Sequence, residues 1–191
     1  DLVEIYIMSS RLELKLSACM LYVYSNLTLG NAKASERGLE IIRECLRKEM
    51  EAPTSERNTA YCVFAGYMGT VLLHLSTEEL PDMKKYMSSL PQGLRIFAAN
   101  VISHDLYLKG EYSRALGICD AALFSCKEIY PVGMIYLYCV TAMCEISLKN
   151  QAEAEKAILT AWKLAVKDEL IEPFIELHGL LQRSEERRVG K

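Results

Sequence analysis

The sequence predicts an all-α protein, an α-solenoid of about four antiparallel helix hairpins. Three observations carry this. Apolar residues recur at helical spacing almost throughout. The helical stretches are separated by short breaks at Gly, Pro or polar pairs. Two successive hairpins overlay at a shift of 39 residues, which sets Gly110 on Lys149, Ala115 on Ala154 and Ala122 on Ala161. No stretch alternates apolar and polar residues with turn residues at each end, so little or no sheet is expected. A helix pair with one apolar stripe cannot bury it alone and must stack on its neighbours.

The elements follow in order. Residues 12–29 read as a helix stopped by Gly30-Asn31, and 34–50 as its partner, with Leu39, Ile42, Cys45 and Leu46 on one face. Glu44 and Lys48 form an i,i+4 pair on another face. Glu40, Glu44, Glu49 and Glu51 interleave with Arg43, Arg47 and Lys48, which predicts a solvated helical face. Pro53-Thr54-Ser55 is a break with a capping hydroxyl, without the partner residue of a capping box. A second hairpin is expected from helices over 59–75 and 79–90, the latter capped at Ser76-Thr77 with Glu78 and Glu79 in its first turn.

The third hairpin joins 92–109 to 111–127 through Gly110. Pro91 suits a helix start, and a glycine after a basic last turn suits a stop. The stripe Ala115, Leu116, Cys119, Ala122, Leu123 and Cys126 lies on one side of a 3.6-residue helix. The fourth runs from 132–148, opened by Pro131, through Lys149-Asn150 to 151–166, with Ala154, Ala157, Ile158, Ala161, Trp162 and Ala165 as its stripe. Residues 170–182, with Pro173 inside, begin a fifth.

Composition sets bounds. The chain has 191 residues, 51% hydrophobic and 25% charged, with a net charge of −3. This fits a globular chain and gives no electrostatic reason to bind nucleic acid or an anionic membrane. The run 58–77 lacks Asp, Glu, Lys and Arg. Its Thr, Gly, Ser, Asn and His residues dilute it, so a helix buried on most sides is favoured over a membrane span. The seven cysteines are odd in number and form no C-x-x-C. They read as packing residues in a reducing, cytoplasmic setting.

Residues Tyr107 to Leu123, YLKGEYSRALGICDAAL, resemble the second half of a tetratricopeptide repeat through Tyr107, Gly110, Tyr112, Ala115 and Ala122. The period of 39 exceeds that repeat's usual length of about 34. Lys149 also replaces the turn glycine in the next copy, so the repeats are degenerate. Degenerate repeats followed by Ala161 to Leu181, with the pattern A-x-x-x-A-x-x-D-x-L-I-x-P-F, resemble the helical region of large LuxR-family (MalT-like) transcriptional regulators. The resemblance implies a signal-sensing or protein-interaction region over 1–182. Its partner would be a small-molecule effector or protein in a concave groove, with self-association open to it. DNA would be reached only through a helix-turn-helix domain beyond these residues. A tetratricopeptide-type adaptor with no transcriptional role is the alternative. The last nine residues, RSEERRVGK over 183–191, resemble the in-frame translation of a sequencing adapter, and the chain opens at Asp1 without a Met. A fragment of a longer protein is expected.

No catalytic, cofactor-binding or metal site is expected. His74, His104 and His178 have no His or Cys three or four residues away, and the Cys119/Cys126 and Cys139/Cys144 spacings are wider than those of zinc sites. His104-Asp105 lies mid-helix, where adjacent side chains diverge by about 100°, so it reads as a solvent-facing or inter-repeat pair rather than a base with its carboxylate. No phosphate-binding glycine loop and no G-x-S-x-G occurs. Gly66-Tyr-Met-Gly69 reads as a close helix contact. Tyr6, Tyr22, Tyr24, Tyr61, Tyr67, Tyr107, Tyr112, Tyr136 and Tyr138 lie on or beside first helices of hairpins, where packing is expected before ligand contact.

Overall fold

The computed structural model describes residues 5, 7–126 and 130–177. The adapter-like stretch 183–191, the end of the fifth element (178–182) with His178, and the positions of Tyr6 and Lys127 lie outside the described residues. All regular structure among the described residues is helical. The chain divides into two compact units, Asp1–Ala98 and Ala99–Lys191.

The first unit holds α1 (Leu12–Thr28), α2 (Ala32–Glu51), α3 (Glu56–Leu72) and a 3-10 helix (Met83–Ser89). α1 packs on α2 and α3, α2 on α3, and α3 on the 3-10 helix. α4 (Gln92–Leu108) follows. The second unit continues with α5 (Tyr112–Ser125), α6 (Pro131–Ser147), α7 (Gln151–Ala165) and a helical turn over 172–177. α5 packs on α6 and α6 on α7.

Helix endings explain the repeat. At Gly30 the φ angle is +73° and at Gly110 +76°, and non-glycine residues adopt the same left-handed backbone at His74 (+53°) and Lys149 (+67°). Each of the four closes the helix before it with the same pair of bonds. The N–H of the left-handed residue reaches back three residues, and the next N–H reaches back five. The pairs are Gly30 to Leu27 and Asn31 to Asn26, His74 to Val71 and Leu75 to Thr70, Gly110 to Tyr107 and Glu111 to Leu106, and Lys149 to Ile146 and Asn150 to Glu145. This is the Schellman ending, which satisfies orphan carbonyls while reversing the chain. The 39-residue shift therefore superposes equivalent backbone turns, and Lys149 replaces glycine in sequence but not in conformation.

Packing follows from small residues. A Cβ on Gly38 would sit 2.8 Å from Val23 Cγ2 and 3.1 Å from Tyr22 Cδ1, so α1 and α2 meet closely there. The Ser35 hydroxyl donates to the Val23 carbonyl at 3.0 Å in the same seam. A Cβ on Gly69 would lie 3.0 Å from Leu39 Cδ1, and one on Gly66 3.2 Å from Leu46 Cδ2. The G-x-x-G is thus the α2–α3 contact expected of it. α3 is buried on most sides, from Thr59 to Val71. No helix among the described residues is long and apolar enough to cross a membrane.

Two expectations need correction. Residues 79–90 do not form an α-helix, and Ser76-Thr77 is not its cap. The Ser76 hydroxyl only accepts the Glu78 N–H at 3.3 Å, and the short 3-10 helix starts after Asp82, whose carboxylate accepts the Lys84 N–H at 3.1 Å. Pro81 accounts for this, because it lacks an N–H and steers Leu80 away from α geometry. Glu49 is not on a solvated face: it is only 5% exposed, beneath the α2–α3 link. Its neighbours do behave as expected, with Arg47 paired to Glu44 and Glu51, and Lys48 to Glu44 at 3.1 Å.

Candidate functional site

In the first unit the most organised polar cluster surrounds Glu49. One of its carboxylate oxygens accepts the Thr54 N–H at 2.8 Å and the Ser55 N–H at 3.4 Å. The Thr54 hydroxyl reaches both oxygens, at 3.0 and 2.9 Å, and the Thr59 hydroxyl lies 3.1 Å away. Ser55 itself caps α3 by accepting the Asn58 N–H at 3.1 Å. Burial pushes the Glu49 carboxyl up, but the Thr54, Ser55 and Thr59 donors outweigh it and hold the group below the usual carboxylate range. A carboxylate satisfied by its own chain at a helix N-terminus is a structural cap, not a free base.

The second unit carries the aromatic face. Ile135, Cys139 and Met143 of α6, Ala161 and Ala165 of α7, and Leu177 form a core cluster. Tyr107, Tyr136, Tyr138, Leu164, Leu170 and Phe174 pack against it. The Tyr136 hydroxyl donates to the Glu176 carboxylate. Trp162 meets Phe174 edge-on, with ring centroids 5.8 Å apart. Tyr107 also stacks at a tilt on Tyr112 at 5.5 Å. In the first unit, Tyr61 shares a hydrogen bond with Ser17 across α1 and α3 at 2.9 Å. Tyr61, Tyr107, Tyr112, Tyr136 and Tyr138 are therefore half-buried packing residues, as amphipathic rings tend to be. Outside this core, Leu159, Trp162, Val166, Ile171 and Ile175 stay exposed, Trp162 by 48%.

His104 and Asp105 are both 7% exposed, which settles against the solvent-facing reading. Asp105 accepts from Lys109 one turn later at 2.8 Å, so its carboxylate serves an ion pair at the C-terminal end of α4. His74 sits exposed at a left-handed helix stop. Among the described residues, no three His, Cys, Asp or Glu side chains gather as metal ligands do. All seven cysteines are free, and five are buried. Burial pushes the thiols of Cys62, Cys139 and Cys144 up to about 12 and that of Cys19 to about 11. Thiols so suppressed pack as apolar groups.

Sequence reasoning missed Glu49, whose only signal was its position just before the Pro53-Thr54-Ser55 break, and the Tyr136–Glu176 bond, which has no local signal at all. No family model, curated protein or solved structure matches the chain.

Proposed function

We propose that this chain is part of the signal-sensing or protein-interaction region of a LuxR-type DNA-binding transcriptional regulator, working in the cytoplasm without catalysis. The observation that carries the reading is the Ala161–Leu181 segment, which follows a tetratricopeptide-like hairpin and resembles that family. The packing supports it: Ala161 and Ala165 are buried in one cluster with residues of α6, and Phe174 meets Trp162 of α7 edge-on. A small-molecule effector or a protein partner in the concave groove of stacked hairpins would shift repeat curvature or self-association. That shift would bias a DNA-binding domain beyond these residues, since a ligand acts only through differential affinity for two states. Recovering the uninterrupted gene tests this. A helix-turn-helix domain downstream of the repeats is expected, and a continuation without one rejects the assignment.

A second reading, a tetratricopeptide-type adaptor without a transcriptional role, is favoured by the Tyr107, Gly110, Tyr112, Ala115 and Ala122 pattern. It predicts a stable protein partner in a pull-down with the full chain, and a downstream continuation without a helix-turn-helix.

A further inference from the structure

We draw no further inference here: the strongest candidate, the exposed apolar face of α7 formed by Leu159, Trp162 and Val166, carries nothing because nothing in the structure shows what covers it.

Discussion

Glu49 offers the sharpest test of the packing logic, because the charge pattern around it points outward while the side chain turns inward. Replacing it with Ala removes an acceptor that serves Thr54 and Thr59 and the first free N–H groups before α3. One hydrogen bond to a charged group contributes about 1.5–3 kcal/mol net. Bonds that share one acceptor do not add, so the sum of the separate contributions overshoots. The Thr54 and Ser55 donors are exposed enough to find water, whereas Thr59 is buried and can turn its hydroxyl to the Ser55 carbonyl at 3.0 Å. The net cost of Glu49→Ala is then about 3 kcal/mol at neutral pH, within the range for breaking a buried polar network. For a chain of this size each kcal/mol lowers Tm by about 2–4 °C, so a loss of about 6–12 °C is expected. Glu49→Gln keeps the shape and one acceptor oxygen, and should cost about half as much. The sign of the pH dependence follows from the depressed folded-state value. The carboxylate's contribution is present above its unfolded value of about 4.3 and is lost as pH falls through the folded value. Urea unfolding by circular dichroism, at neutral pH and in acid, measures both. A Glu49→Gln protein as stable as wild type at neutral pH, or a difference that does not shrink in acid, would refute the reasoning.

The remaining predictions concern turns, seams and thiols. Lys149→Gly should stabilise the chain by up to about 1 kcal/mol in urea unfolding, because glycine adopts φ +67° without strain. Gly110→Ala at φ +76°, where a Cβ would meet nothing within 4 Å, should cost about 1–2 kcal/mol from backbone strain alone. Equal stability for both variants would remove the shared turn. Gly38→Ala should cost about 1–3 kcal/mol by thermal melting, since its Cβ would press on Val23 and the ring of Tyr22 in the α1–α2 seam; an unchanged Tm argues against so close an approach. Cys62, Cys139 and Cys144, with thiols at about 12, should resist iodoacetamide at about pH 8, where about one in ten thousand is thiolate. The half-buried Cys126 should label first, and mass spectrometry reads the order.

The helices were legible because each physical signal for them is local. Apolar spacing marks a buried stripe, Pro131 marks a start at the first helical position, and Gly30 and Gly110 mark left-handed stops. His74 was not legible as a stop. Any residue can be forced left-handed when two backbone bonds and the packing behind it outweigh a strain of about 1–2 kcal/mol. Lys149 became legible only through the repeat, since its chemistry says nothing and its register says everything. Residues 79–90 have helix-like apolar content, and the error there came from weighing composition above Pro81.

The polar features followed a different rule. A charged side chain stays in water unless a neighbouring element brings donors to it. Glu49 meets that exception because the short α2–α3 link folds Thr54, Ser55 and Thr59 over it, and Glu176 meets it because the turn after α7 carries it back to Tyr136 some 40 residues earlier. Both cases depend on how one helix hands the chain to the next. In a protein built from hairpins, the turn chemistry therefore sets more than the reversal of direction. It selects which carboxylates are taken out of water.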